Sequence, residues 1–181
     1  TIEAGFEMQF HDKKIKWNVV GFYRELNNSI GFDTNYKYVN IDGMNKAKGV
    51  ETELSVALSD KIQWNTNYTF TQVDQAIVRL IPKHKLNSSL DFKISERFFW
   101  NGNYQYVDAK KDAFYDGNTF ARKEVRLGSY QLLNTMLRYE LVKNKLSVSG
   151  SVNNIFNVDF VENVGYSTLG RNFKLGLNIH L

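Results

Sequence analysis

The sequence predicts an all-β fold, an antiparallel up-and-down transmembrane β-barrel, on three observations. Apolar and polar residues alternate with a period of two along nine separate stretches. The connections between those stretches run strictly short, long, short, long, as they must when hairpins have tight turns at one rim and loops at the other. The polar members of the alternation are mostly uncharged, which is unlike a face exposed to bulk solvent.

The elements follow in order. Ile2, Ala4, Phe6, Met8 and Phe10 share one face of a first strand, ended by the turn His11-Asp12-Lys13-Lys14. Ile15, Trp17, Val19, Gly21 and Tyr23 open a second, which gives way to a polar stretch over 27–48. Val50, Thr52, Leu54, Val56 and Leu58 face one way on the third, with Glu51, Glu53, Ser55 and Ala57 opposite, and Ser59-Asp60-Lys61 turns the chain. The fourth sets Ile62, Trp64, Thr66, Tyr68 and Phe70 against Gln63, Asn65, Asn67 and Thr69, and a loop follows over 72–85. The fifth carries Leu86, Leu90 and Phe92, the sixth Phe98, Trp100 and Tyr104, and the longest loop is expected over 108–128. A weaker seventh strand over 129–141 turns at 142–145 into an eighth, with Leu146, Val148 and Val152 against Ser147, Ser149 and Ser151. In the last, Phe173, Leu175, Leu177, Ile179 and Leu181 alternate to the final residue, so this strand is expected to be paired and buried to its end.

Composition narrows the function. There is no Cys and one Pro, so neither a disulfide scaffold nor a thiolate metal site is available. A net charge of +4 from 23 basic and 19 acidic residues, dispersed along the chain, does not make a nucleic-acid surface. No run approaches the roughly 18 apolar residues of a membrane helix, so any membrane role falls to strands. The competing architecture is a soluble β-sandwich or barrel whose apolar faces form its core. Against it, strands four, five, six and eight together place only Asp91 and Lys93 as charges on their polar face. Trp17, Trp64 and Trp100 each follow a short turn, where amphipathic rings would sit at a membrane interface, with Tyr23, Phe70 and Tyr106 six residues further on. Those Trp side chains are expected near one rim on the outward face, and Asn18, Asn65 and Asn101 inward. Nine strands do not close an ordinary barrel, and Thr1-Ile2-Glu3-Ala4 already alternates, so the chain is expected to be part of a larger one.

Several local patterns resemble the carboxyl-terminal part of TonB-dependent outer-membrane receptors. Thr1-Ile2-Glu3-Ala4-Gly5-Phe6-Glu7 is similar to the opening of that family's later strands. Lys46-Ala47-Lys48-Gly49-Val50-Glu51-Thr52-Glu53-Leu54 is similar to its "KA-x-GVE-x-E" strand, and Ile81-Pro82-Lys83-His84 to its "x-P-x-H" loop. Asn153-Asn154-Ile155-Phe156-Asn157 is similar to its "x-NLF(D/N)" segment, and Gly165-Tyr166 with Gly170-Arg171 to the entry of its last strand. The order Lys174-x-Gly176-x-x-Ile179-x-Leu181 resembles a carboxyl-terminal barrel-assembly signal, although such signals usually end on an aromatic residue. The resemblance implies about nine carboxyl-terminal strands of a barrel of about 22. The spacing is most like cobalamin receptors, with heme and siderophore receptors sharing most signals. It further implies uptake of a scarce ligand powered through TonB, and a Gram-negative outer-membrane location. The implied partners are the lipid bilayer and lipopolysaccharide, an amino-terminal plug, TonB, a small-molecule ligand and a surface-exposed accessory protein. A passive diffusion porin or another outer-membrane β-barrel is the alternative.

No catalytic site, metal site or cofactor is expected, since His11, His84 and His180 fall in three separate places. Glu51 and Glu53 face the lumen together, where they are either solvated acids or, as the resemblance implies, partners of cations on the plug. Tyr36 and Tyr38, and Phe114 and Tyr115 amid Lys110, Lys111, Arg122, Lys123 and Arg126, are candidate ligand contacts in the long loops.

Overall fold

The computed structural model describes residues 1–32, 37–74 and 80–180, with 26–29, 31–32 and 41–45 as backbone alone. The strands are β1 (Ile2–Phe10), β2 (Ile15–Phe32), β3 (Tyr38–Ser59), β4 (Ile62–Asp74), β5 (His84–Lys93), β6 (Phe98–Val107), β7 (Lys110–Tyr115), β8 (Arg122–Leu127), β9 (Tyr130–Val142), β10 (Leu146–Asn153) and β11 (Asn172–Ile179). Nine of them form one sheet in the order β1-β2-β3-β4-β5-β6-β9-β10-β11, and β7 and β8 pair separately. Every pairing is antiparallel.

Two expected loops are largely strand. The stretch over 27–48 continues the β2–β3 ladder, with Phe32 opposite Tyr38, and the loop over 108–128 contains the β7–β8 hairpin. Side-chain alternation marks a strand only where its two faces meet different surroundings. Beyond that zone backbone pairing persists without it, here with Lys46 and Glu25 forming a cross-strand ion pair at 3.5 Å.

Register sorts the sheet into an apolar and a polar face. Trp64, Leu90, Gly102, Thr135, Val152 and Phe173 lie in one continuous pairing row on the apolar face. Glu7, Asn18, Glu53, Asn67, Asn87 and Gln105 lie in one row on the polar face. From Ile15 to Tyr23, Val50 to Val56, Ile62 to Phe70 and Phe98 to Tyr106, every second residue on the apolar face is uncharged. Nine residues of strand rise about 26 Å, or about 20 Å when tilted by about 40°, close to the apolar band of a transmembrane barrel.

The described residues build almost no protein core. Among the described residues the buried hydrophobic side chains are Val107, Ala113, Leu127 and Tyr130, all near the long-loop end. Phe173 is 72% exposed and Leu175 93%, so β11 is not buried to its end as its sequence implies; it pairs with β10, and its apolar face is open. Leu181 lies outside the described residues. A sandwich needs a second sheet across the first, and the described residues contain none of comparable size. An apolar face of this extent is stable when hydrocarbon covers it.

Trp17, Trp64 and Trp100 stand on the apolar face one or two pairs from the short turns, and Asn18, Asn65 and Asn101 on the other. Each indole is bound to a hydroxyl diagonally across the neighbouring strand. Trp17 Nε1 donates to Thr52 Oγ1, Trp64 Nε1 to Ser88 Oγ and Trp100 Nε1 to Thr135 Oγ1, each at 2.8 Å. Thr52 and Thr135 pass their own protons to the carbonyls of Asn18 and Asn101, at 3.1 and 3.2 Å. The indole N–H is thus satisfied within the sheet, as an apolar surrounding requires. Gly102 makes room for this, since a Cβ there would lie 2.7 Å from the Trp100 ring.

Candidate functional site

The polar face is a wall of cross-linked amides. Gln63 Nε2 donates to Ser55 Oγ at 2.9 Å and Ser55 to Asn65 Oδ1 at 2.9 Å. Asn87 donates to Asn67 at 3.0 Å, Asn101 to Asp91 at 2.8 Å and Asn153 to Asn172 at 2.9 Å. Asp91 apart, such neighbours hold one another in place without committing a charge, and a hollow of about 440 Å³ lies over them, lined by Glu7, Lys16, Asn18, Glu53, Asn67 and Asn87 among others.

Glu51 and Glu53 lie side by side on this wall, opposite Thr69 and Asn67 of β4 and Val20 and Asn18 of β2. Both are exposed, and neither forms an ion pair or side-chain hydrogen bond with the described residues. Arg138 is a wall residue that the weak alternation of its strand concealed. Its guanidinium carbon sits 4.4 Å from the centre of the Phe99 ring, and its Nε is shielded from solvent with no hydrogen-bond partner.

The aromatic candidates are not gathered into one site. Phe114 and Tyr115 are neighbours on β7 and so point to opposite sides of the hairpin. Phe114 is 39% exposed opposite Lys123, and Tyr115 66% exposed opposite Arg122. Two of the cations around them are neutralised locally: Lys123 by Asp116 at 2.5 Å and Arg122 by Glu124 at 2.9 Å. Asp116 at the hairpin tip is held at about 2 by the Lys123 ammonium, and further by the Thr119 and Asn118 amides. Tyr38 begins β3 and is 76% exposed, while Tyr36 lies outside the described residues. His84 stands at the far edge of the apolar face, with Nδ1 2.7 Å from the Tyr68 hydroxyl, remote in the register from His11 in a turn and His180 beyond β11.

What the structure does assemble at the long-loop end is a clasp. Segment 154–171 returns over the sheet and is tied at both ends by asparagines with left-handed backbones, Asn154 at φ 51° and Asn157 at φ 54°. The Asn154 side chain, 3% exposed overall, donates to the Val158 carbonyl and accepts from the Val158 amide, both at 2.8 Å. Its own amide donates to Asn134 Oδ1 at 2.8 Å, and Asn157 Oδ1 receives the Arg171 amide at 2.8 Å. Midway, Tyr130 donates to Glu162 at 2.9 Å and packs on Phe160, with ring centres 4.6 Å apart. The Val164 amide donates to Asp112 Oδ2 at 2.8 Å, which joins this segment to the β7–β8 hairpin. Only the Asn154–Asn157 pattern was visible in sequence; Asp112, Tyr130 and Glu162 carry no local signal.

Residues 1–155 match the family model described as "TonB dependent receptor-like, beta-barrel". The chain is 25% identical over 169 residues to the vitamin B12 transporter BtuB of Vibrio cholerae, covering 90% of this chain and 26% of that protein, so it spans about a quarter of its relative's length. It superimposes on the pyoverdine outer membrane receptor FpvA of Pseudomonas aeruginosa with a TM-score of 0.81 at 20% identity, covering 99% of this chain and 29% of the receptor. On the siderophore receptor PiuA of Acinetobacter baumannii the TM-score is 0.77 at 19% identity, covering 98% and 28%. These likenesses show the fold: a partial barrel.

Proposed function

We propose, for a chain that belongs to the TonB-dependent receptor-like β-barrel family, that it forms part of a Gram-negative outer-membrane receptor importing a scarce ligand with energy delivered through TonB. The ligand class is a cobalamin, siderophore or heme, and no catalytic step is assigned to the chain. Membership over residues 1–155 carries the reading. In it the apolar face meets the bilayer and the polar face lines the lumen, with the short turns periplasmic. The hairpin β7–β8 and segment 154–171 then stand outside the cell, where they and Tyr38 meet ligand, lipopolysaccharide or an accessory protein. The lumen is occupied by a plug that couples to TonB.

Glu51 and Glu53 support a filled lumen. Two adjacent exposed carboxylates without a cationic partner among the described residues suit a surface completed by cations from another segment. Replacing both by Gln in the full-length protein is expected to lower energy-dependent uptake and raise leakage of large antibiotics while the barrel still assembles. Planar-bilayer conductance tests it. A wild type that is a steady open pore overturns the receptor reading in favour of a diffusion porin. A closed wild type whose double mutant leaks no more overturns the role of the two glutamates.

A further inference from the structure

We infer that the apolar face carries a groove for one acyl chain of an anionic glycerophospholipid from the leaflet at the short turns, with its phosphate against Arg97; this rests on the receptor reading above, which sets that face in a bilayer. The groove has a volume of about 550 Å³ and crosses β4, β5, β6 and β9 past the indoles of Trp64 and Trp100. At one end stands Leu58, next to the Ser59-Asp60-Lys61 turn, and at the other Leu133 and Ile155. The stagger of the strands makes this crossing a path through the membrane. Trp64, Leu90, Gly102 and Thr135 share one pairing row. Trp64 is the third residue after Lys61, whereas Thr135 is the eighth before Lys143, so the row moves away from the short-turn rim as it passes from β4 to β9. From Leu58 to Leu133 and Ile155 the groove therefore leads from that rim toward the long loops, which is the direction an acyl chain takes.

Its chemistry suits hydrocarbon. The polar side chains that line it are already engaged within the protein. Ser88 and Thr135 accept the two indole N–H groups at 2.8 Å, the Tyr104 hydroxyl donates to Gln131 at 3.0 Å, and Asn134 Oδ1 accepts the Asn154 amide at 2.8 Å. A ligand that buried a donor or acceptor there would leave it unmet, whereas methylenes gain dispersion contacts with the indole rings and Leu90. The rim selects the headgroup. The turns over 11–14, 59–61, 95–97 and 142–145 carry six cations to three carboxylates. Lys14 and Lys61 border the hollow on the polar face. Glu96 is taken by Lys93 at 2.8 Å and, at 4.0 Å, by Lys143, while Arg97 beside it is exposed and has no ion pair among the described residues. Its turn joins β5 to β6, the middle strands of the groove, and is anchored to β9 where the Glu140 amide donates to the Arg97 carbonyl at 2.8 Å. A guanidinium in that place matches a phosphate diester, and the surplus of cations favours a lipid of net negative charge.

The test uses the complete receptor, folded in detergent and stripped of lipid. Palmitoyl-oleoyl phosphatidylglycerol, the matching phosphatidylcholine or lipid A is added at equal concentration, and bound lipid is counted by native mass spectrometry. One phosphatidylglycerol is expected to be retained in preference to phosphatidylcholine. Leu133→Trp, which fills the groove, is expected to lose it. Arg97→Glu is expected to weaken phosphatidylglycerol by roughly fivefold or more, the factor of one basic residue beside an anionic surface, and to leave phosphatidylcholine unchanged. Val148→Trp, on the apolar face outside the groove, is expected to behave as the wild type. Heat-modifiable migration checks that each variant is folded, and Arg97→Glu, in a turn, decides alone where Leu133→Trp does not fold. Equal retention of the two phospholipids, no effect of Arg97→Glu, or equal loss in Leu133→Trp and Val148→Trp overturns the inference. So does a preference for lipid A, which assigns the groove to the other leaflet, or a dimer that Leu133→Trp dissolves, which assigns it to a second copy. These outcomes leave the receptor reading intact; a receptor that stays folded and soluble without detergent overturns the reading itself.

Discussion

The clasp over 154–171 gives a prediction whose size can be worked from its hydrogen bonds. Asn154→Ala removes a donor to the Val158 carbonyl and an acceptor for the Val158 amide, both at 2.8 Å, from a side chain 3% exposed overall. Each backbone group left unmet costs about 1 to 3 kcal/mol, the lower end applying where water can enter at the mouth of the barrel. Alanine at φ 51° adds about 1 kcal/mol, since only glycine and asparagine adopt that region readily. The total is about 3 to 5 kcal/mol of local stability, or a roughly 100- to 5,000-fold larger open population of the segment. Hydrogen exchange reads this at three amides: Ile155, bonded to the Leu133 carbonyl at 2.9 Å, Asn157, bonded to the Asn154 carbonyl at 2.8 Å, and Arg171, bonded to Asn157 Oδ1 at 2.8 Å. All three should exchange faster together in Asn154→Ala. Asn154→Gly should recover about 1 kcal/mol of the loss, because it loses the amide without the backbone strain. If the three amides exchange at wild-type rates in the alanine variant, the clasp is not what holds this segment.

Further outcomes follow from the sheet and the hairpin. Thr135→Val leaves the Trp100 indole N–H without its acceptor on the apolar face and should lower barrel stability by about 1 to 3 kcal/mol, with a shifted indole signal; an unchanged unfolding midpoint in lipid would count against the brace. Asp116, at about 2 against the usual 3.8, has a depressed folded value, so its contribution is fully present above about pH 4 and disappears as the pH falls through about 2. Amide signals of Asn118 and Thr119 should follow that window and lose the transition in Asp116→Asn; a transition above pH 4 would refute the assignment.

How far the sequence could be read depended on the range of each cause. The period-two alternation is local: once Phe6, Trp17, Leu54, Trp64 and Trp100 lie on one face, the polar residues between them must lie on the other, whatever the strands pair with. The alternating short and long connections, by the same local logic, prescribed an up-and-down order that the sheet follows. The motifs around Glu51 and Asn154 pointed to the family without revealing what Asn154 binds. Tertiary structure alone decided the rest, because those contacts join residues far apart in the chain. Asp112 reaches Val164 across 52 positions and Tyr130 reaches Glu162 across 32. The β7–β8 hairpin interrupts the sheet's sequence order between β6 and β9, and the ladder of β2 and β3 outlasts its apolar pattern because backbone pairing needs no apolar face. Arg138 is the plainest case. Nothing in its own strand distinguishes it from a solvated cation; only the register sets it beside Phe99, where its Nε is withdrawn from water.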